Sequence, residues 1–460
     1  MREKLQSYLR YLRVRRKADH ATRVLTAFFL LVILLGSLLL GLPVASANGR
    51  SCGALTAVFT ATSATCVTGL SVVDTFTQWS RFGQIVLLLL IQVGGLGYMT
   101  FVSMFYFLLR RRIGLRERLI LQQAMALGEL DGVVRLLRLV LTGTFLVEGV
   151  GAVILSLRFS TMLPAGEAVF FGIFHAVSAY CNAGFDLFGK FQLGGSLSLM
   201  RADWIVNLTV MALIVIGGLG FFVWNDLLLH KFSWRRLSVH TRLVLVLTCV
   251  LLLGGFGAIA LVEWNNPGTL GNLPAGEKLL AAMFQSATTR TAGFYTVEQG
   301  ALTGSGKLIS TLLMFVGGSS GSTAGGIKTV TVGILFLTAI RGFRGHGEVV
   351  VFGRKIAQDQ ISSALNIFLL VVSLGLFGGV VVSATNGISL GDAIYEVVSA
   401  ICTVGLSTGI TAGLNIGSKI LLIVYMFFGR VGIMTISFAF MTKSPPDNAI
   451  RRPETRVLIG

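Results

Sequence analysis

Four short stretches of this chain are built to one plan, each around a glycine. Ser63–Ser71 reads Ser-Ala-Thr-Cys-Val-Thr-Gly-Leu-Ser, and Tyr180–Phe185 reads Tyr-Cys-Asn-Ala-Gly-Phe. Thr289–Phe294 reads Thr-Arg-Thr-Ala-Gly-Phe, and Ile401–Leu406 reads Ile-Cys-Thr-Val-Gly-Leu. Aligned on Gly69, Gly184, Gly293 and Gly405, the residue three places earlier is Cys66, Cys181, Arg290 and Cys402. A short apolar run precedes each stretch (Gly53–Ser63, Glu167–Ala179, Glu277–Ala287, Asp392–Ala400), and a long one follows it. Repetition of this kind means one supersecondary unit used several times. Four copies predict four walls around one axis.

The second half of each unit repeats in step. Val-Gly-Gly-Leu-Gly-Tyr begins at Val93, Ile-Gly-Gly-Leu-Gly-Phe at Ile216, Val-Gly-Gly-Ser-Ser-Gly at Val316 and Phe-Gly-Arg-Val-Gly-Ile at Phe428. From loop glycine to helix glycine the step is 25 residues for 69 to 94, and 24 for both 293 to 317 and 405 to 429. The larger step of 33, for 184 to 217, is explained by an extra external segment, Gly189–Asp203.

Composition fixes the solvent. Of 460 residues, 54% are hydrophobic and 13% charged, and several apolar runs reach the roughly 20 residues that cross a bilayer. The basic residues behind the net charge of +18 cluster in the N-terminal arm, Arg110–Arg118, Lys231–Arg242, Arg341–Lys355 and the C-terminal tail. These segments share one side when the crossings come in pairs, so both termini are expected in the cytoplasm of a multi-pass cell-membrane protein. No basic helix carries interleaved aromatics in a soluble module, which argues against nucleic acid as a partner. Val24–Leu42, behind a heavily charged start, reads as a retained helix and not as a signal peptide.

The expected fold is an all-α polytopic membrane protein with four pseudo-fourfold repeats of helix, re-entrant pore helix, filter loop and helix. That makes eight transmembrane helices and four pore helices. A basic arm covers 1–20, and the repeats occupy 21–115, 130–230, 240–342 and 360–442, with a tail at 443–460. The first helices of the units are Val24–Leu42, Val133–Leu157, Leu243–Val262 and Ser363–Ala384. The returns are Ile85–Leu109, Trp204–Leu228, Leu308–Ile340 and Ile420–Met441.

Non-helical backbone inside a membrane is tolerated only where it is buried in protein or lines water. Four such loops therefore imply an aqueous path whose inward carbonyls replace an ion's hydration shell. The expected filter is Val67, Thr68 and Gly69; Asn182, Ala183 and Gly184; Thr291, Ala292 and Gly293; and Thr403, Val404 and Gly405. Glycine at the narrowest point permits dihedrals that a side chain blocks. The carbonyl ends of the pore helices favour a cation. Arg290 is expected to brace the third loop through hydrogen bonds or else to stand as an external charge that tunes ion entry, and His175 to be a satisfied pore-helix residue. Glu148 has no evident role beyond a possible arginine partner.

The third return is interrupted by Gly317, Gly318, Ser319, Ser320, Gly321, Ser322, Thr323, Ala324, Gly325, Gly326, Ile327 and Lys328. Each glycine costs a helix roughly 1 kcal/mol relative to alanine, so this segment is expected as a flexible gate below the filter. It is not a phosphate-binding loop, because Ile327 separates glycine from Lys328 and no strand precedes it. Arg430, midway along the fourth return, needs water, carbonyls or an acid, and can cap loop carbonyls. The five cysteines form no CxxC pair and no metal site is expected.

Thr-Cys-Val-Thr-Gly-Leu, Cys-Asn-Ala-Gly-Phe, Thr-Arg-Thr-Ala-Gly-Phe and Thr-Val-Gly-Leu-Ser-Thr-Gly together resemble the Trk/Ktr/HKT superfamily of potassium transporters over about residues 20 to 445. Without an extra N-terminal helix pair, the chain looks most like the KtrB type. The resemblance implies K⁺ uptake by a homodimer with one pore per protomer. It also implies an intramembrane gating loop that Arg430 helps to close, and a cytosolic KtrA-like ring carrying ATP/ADP or NAD(H). No cofactor is expected on this chain, and K⁺ is the transported ion at the filter. The basic loops suit such a ring or anionic membrane lipids. In the family a serine at the first filter glycine accompanies Na⁺ permeation, so Gly69 favours K⁺. The rival readings are a Na⁺-permeable member and an alternating-access cation carrier. An enzyme is not expected, for want of a Ser/His pair, HExxH or paired acids.

Overall fold

The computed structural model describes residues 23–108, 133–345 and 348–432. The N-terminal arm, Arg110–Arg118 and the C-terminal tail, which carry much of the charge asymmetry, lie outside the described residues. The end of the fourth return, from 433, does too.

The described chain is mostly helical. Its first unit is α1 (Arg23–Gly41), α2 (Ala54–Thr65) and α3 (Arg81–Leu108). The second is α4 (Val133–Phe159), α5 (Ala165–Tyr180), α6 (Trp204–Leu219) and α7 (Phe221–Leu229). The third is α8 (Val239–Glu263), α9 (Ala275–Thr288), α10 (Gly304–Phe315) and α11 (Thr329–Phe343). The fourth is α12 (Gln358–Asn386), α13 (Leu390–Ile401) and α14 (Ile416–Phe427), prolonged by a π turn, Phe428–Gly432. One two-stranded hairpin, β1 (Val350–Val351) with β2 (Arg354–Lys355), was not expected. Phe352 and Gly353 between them both have positive φ, as a two-residue type I′ turn requires.

By length and composition α1, α4, α8 and α12 can each cross a bilayer, and the bent pair α6–α7 makes a fifth candidate. Only 28–33% of each of the four long spans is buried, so most of their apolar surface needs a non-aqueous solvent.

The short helices α2, α5, α9 and α13 all have buried C-terminal halves. Their starts are specified locally. Leu-Pro-Ala-Gly-Glu opens both α5 and α9, with Pro164 or Pro274 as N-cap and Glu167 or Glu277 in the first turn. Proline's missing N–H costs nothing there, and the carboxylate suits the positive end of the helix. Ser389 caps α13 by accepting from Asp392 N at 3.1 Å. The apolar core links units: one cluster joins Ala57, Ala61 and Ala64 of α2 to Phe171 and Phe174 of α5 and to Phe284 of α9. A second joins Phe59 and Cys66 to Val398 and Cys402 of the fourth unit.

The return helices depart from expectation. Only the third was expected to break, yet the second turns through 89° at Gly220, between α6 and α7. The first contains non-helical Gly97 (φ 75°, ψ 162°), and the fourth loosens into the π turn around Arg430. Gly97 and Gly220 are both the last glycine of Gly-Gly-Leu-Gly, and a positive φ at that position stops the i to i−4 ladder. All four returns are interrupted near the same register.

Candidate functional site

The four loop glycines meet in sequence order. A Cβ on Gly69 would stand 2.5 Å from the Ala183 carbonyl oxygen and 3.2 Å from Gly184 Cα. One on Gly184 would be 2.9 Å from Ala292 O, and one on Gly293 would be 2.8 Å from Val404 O. Gly405 closes the circle, its Cβ position overlapping Thr68 O and lying 3.0 Å from Gly69 Cα. The φ values are +94°, +69°, +80° and +93°, so shape and conformation both demand glycine.

The residues two places earlier, Val67, Asn182, Thr291 and Thr403, also have positive φ (56°, 58°, 66° and 50°). Non-glycine residues in this region are uncommon, and four at one register of a repeat mark a specified backbone. Thr68, Ala183, Ala292 and Val404 lie between, buried.

Each loop is tied to its own short helix. Thr68 N donates to Ser63 O at 2.8 Å, Ala183 N to Ser178 O at 2.7 Å and Val404 N to Ser399 O at 2.8 Å. Ala292 N reaches Thr288 O at 2.9 Å, one residue closer in sequence. Serines six places before the glycine add side-chain ties that the sequence reading missed. Gly69 N donates to Ser63 Oγ at 3.1 Å and Gly405 N to Ser399 Oγ at 3.0 Å, while Ser178 Oγ donates to Phe185 O at 2.7 Å. The signal was present as Ser-Ala-x-Cys in units one, two and four.

On one side of the ring lies a polar mouth of about 260 Å³ whose lining includes all four glycines. Ser71, Asp186, Tyr295 and Ser407, each two places after its glycine, stand around it together with Asp74. These residues were also missed, although the +2 register marks them. Asp74 accepts from Phe76 N at 3.0 Å and Thr77 N at 2.9 Å, and Asp186 from Phe188 N at 2.9 Å. Asp186 lies in the loop outside the spanning helices. Burial pushes its carboxyl up to about 6, and the Asp74 charge adds to the rise against the Phe188 hydrogen bond.

On the other side the 317–328 segment is folded into a buried loop. Gly317 N donates to Ile327 O at 2.9 Å and Ile327 N to Phe315 O at 3.2 Å, pinning its two ends together. Its docking, together with Trp224 of α7, accounts for every orphan carbonyl of the break at Gly220. The last four carbonyls of a helix have no intrahelical donor. Here Trp224 Nε1 donates to Ile216 O at 3.2 Å, Thr323 N to Gly217 O at 3.3 Å and Ser319 N to Gly218 O at 2.9 Å. Ser319 Oγ takes Leu219 O, and Phe221 N, across the break, donates to Gly321 O at 2.9 Å.

The same loop meets the second and fourth units directly and is linked to the first through Arg430. Thr323 Oγ1 donates to Tyr180 O, at the end of α5, at 2.9 Å. A Cβ on Gly325 would meet Cys402 O at 3.1 Å, beneath the fourth loop. Arg430 donates to Thr323 O at 2.6 Å, to Gly94 O at 2.7 Å and to Gly95 O at 3.3 Å, clamping the loop to the first return. Within the loop Ser322 Oγ donates to Ser319 O at 2.7 Å and Lys328 Nζ to Ala324 O at 2.9 Å.

Arg290 works differently from expectation. Its Nη2 donates to Thr329 Oγ1 at 3.2 Å, and Thr329 in turn donates to Gly317 O at 2.7 Å. Among the described residues it braces the base of the 317–328 loop, not a filter carbonyl. Glu148 accepts both bonds from Gln92 Nε2, each at 3.1 Å, with no arginine partner among the described residues. His175 is satisfied by Phe171 O at 2.7 Å and by Leu187 N at 3.2 Å, as expected.

This geometry agrees with what the chain is similar to. A family model described as TrkH, cation transport protein, matches residues 4–452. The chain belongs to the TrkH family of cation transport proteins. It is 38% identical over 453 residues to the potassium/sodium uptake protein NtpJ of Enterococcus hirae, covering 97% of this chain and 99% of that one. It is also 38% identical to the Ktr system potassium uptake protein B of Bacillus subtilis (95% and 96% covered). The protein of the same name from Vibrio alginolyticus is 36% identical (95% and 94%). The crystal structure of the potassium transporter TrkH from Vibrio parahaemolyticus superposes with a TM-score of 0.68 at 18% identity, covering 90% of this chain and 84% of that one, which speaks for the fold. As a TrkH-family member the chain is a multi-pass membrane transporter of cations and not an enzyme.

Proposed function

We propose that this TrkH-family chain is the K⁺-conducting subunit of an uptake system, with the four glycine loops as filter and the 317–328 loop as gate. The observation that carries the reading is the closed circle of Gly69, Gly184, Gly293 and Gly405, each against the carbonyl of the next unit. Alternating signs of φ along each loop are what a strand needs if its carbonyls are to share one edge, where they can replace water around a dehydrated cation. The short helices end at the loops, so their partially negative ends support a cation there.

In this reading α3, α6–α7, α10–α11 and α14 with its continuation are broken spans, which together with α1, α4, α8 and α12 make eight crossings. The breaks are tolerated because the 317–328 loop and Arg430 satisfy the freed carbonyls. The loop stands directly below the circle, and the Arg430 charge beside it repels a cation in the same space. The basic segments are assigned to the cytoplasmic side, with both termini. Two copies, and a cytosolic KtrA-like ring binding ATP/ADP or NAD(H), complete the system; the nucleotide is assigned to the ring and not to this chain.

Na⁺ permeation is the second reading, favoured by the potassium/sodium name of the Enterococcus relative. Flux into proteoliposomes, K⁺ and Rb⁺ against Na⁺, decides between them. Shortening the loop by residues 319–324 should raise K⁺ flux. Unchanged flux in that variant ends the gate assignment, and absent K⁺ flux in every lipid and variant ends the pore.

A further inference from the structure

A cavity of about 590 Å³, walled almost wholly by apolar side chains, lies between α4 and the α6–α7 elbow. Leu139, Leu146 and Val147 of α4 face Leu219, Trp224 and Leu228 across it. It is open on the surface through Leu146, Leu228 and Phe232, which are 69%, 54% and 70% exposed. The segment leaving α7 continues as Lys231, Phe232, Ser233, Trp234, Arg235 and Arg236, all exposed. Basic residues beside exposed aromatics mark the level where a membrane's headgroups begin. The groove therefore starts at headgroup level, under a cationic rim, and runs into the apolar layer.

From this geometry we propose that the groove takes one acyl chain of an anionic phospholipid of the leaflet on the basic side, its phosphate held by Lys231, Arg235 and Arg236. Charge complementarity selects that occupant over a neutral lipid. Its depth gives it a second consequence. Trp224 forms a groove wall and spends its indole N–H on Ile216 O, the first of the four carbonyls freed by the break. The next three are held by the 317–328 loop. Lipid and gating loop thus dock on the same broken turn. A chain wedged between α4 and α7 holds the 89° elbow, and the elbow holds the loop in place. The binding stands on the groove alone; the effect on flux rests on the gate reading above.

Native mass spectrometry of the whole chain released from detergent, with phosphatidylglycerol and phosphatidylcholine in turn, reads the binding without any transport. Retained phosphatidylglycerol is expected, with retention falling about fivefold for each charge removed by Lys231→Gln, Arg235→Gln and Arg236→Gln. Leu146→Trp, at the exposed lip, fills the groove without touching the core. It should lose the lipid and make K⁺ flux insensitive to the phosphatidylglycerol content of the vesicle, where the wild type slows as that content rises. Equal retention of both lipids overturns the site. So does a Leu146→Trp spectrum in which the dimer is lost and wild type retains no lipid, since the groove then belongs to a second copy. Lipid loss with an unchanged lipid dependence of flux overturns the link to the gate.

Discussion

Arg430→Met tests how much of the closed state is held by one side chain. Arg430 makes two short bonds to backbone carbonyls, 2.6 Å to Thr323 and 2.7 Å to Gly94, and a weaker one of 3.3 Å to Gly95. Hydrogen bonds to a charged group contribute about 1.5–3 kcal/mol each. The bond to Thr323 is the one that reaches the loop, while those to Gly94 and Gly95 anchor the guanidinium to the first return. Once the loop moves, water reaches the freed Thr323 carbonyl, so the lower figure is the appropriate one and this bond holds about 1.5 kcal/mol. At 1.4 kcal/mol per decade this is a shift of about tenfold in the open-to-closed ratio. A loop open about one time in a hundred becomes open about one time in ten, so flux rises about tenfold.

Methionine keeps the length without the charge. No carboxylate pairs with Arg430 among the described residues. The fold therefore loses no ion pair, and is relieved of a buried charge. The assay is initial K⁺ flux into proteoliposomes beside a thermal melt of the same preparation. Arg430→Lys, which keeps the charge and loses the fork, should fall between. Flux within twofold of wild type, with K⁺/Na⁺ discrimination intact and the melt unchanged, would refute the clamp.

Gly69→Ser puts a Cβ 2.5 Å from Ala183 O and forces an L-residue to φ +94°, so K⁺ flux should drop and the K⁺/Na⁺ ratio fall by an order of magnitude, read by competing the two ions. Ser399→Ala removes the 3.0 Å tie to Gly405 N, for a loss of about 1 kcal/mol in stability and a measurable loss of selectivity; an unchanged ratio would deny the serine a part in holding the loop. For the mouth, an acid whose folded value is raised to about 6 is charged above that pH and neutral below it, so K⁺ capture should weaken as external pH falls through 6. Asp186→Asn should show the weakened uptake at every pH, and a pH profile identical to wild type would remove Asp186 from the mouth's field. Thr329→Val cuts the relay from Arg290 to Gly317 O, and flux should rise severalfold without loss of selectivity.

What was legible in the chain was whatever the repeat wrote locally. A half-length apolar run, a loop ending on glycine and a long apolar return are set by residues near one another, and four aligned copies betray a common axis. The registers also held signals left unread: serine at minus six, and the mouth residues Ser71, Asp186, Tyr295 and Ser407 at plus two. Hydrophobicity determined the solvent, since a chain with so few charges cannot wet its surface in water.

Tertiary structure alone decided which helices break and what the breaks are for. Gly-Gly-Leu-Gly can lie in a continuous helix, and its propensity cost is small enough for packing to settle the outcome. The second return breaks where Ser319 and Thr323 arrive from the third unit to take three of its four loose carbonyls, and its own Trp224 folds back onto the fourth. The same accounting moved Arg290 from the filter to the base of the loop. A carbonyl's partner is a matter of distance in space, which spacing along the chain does not contain.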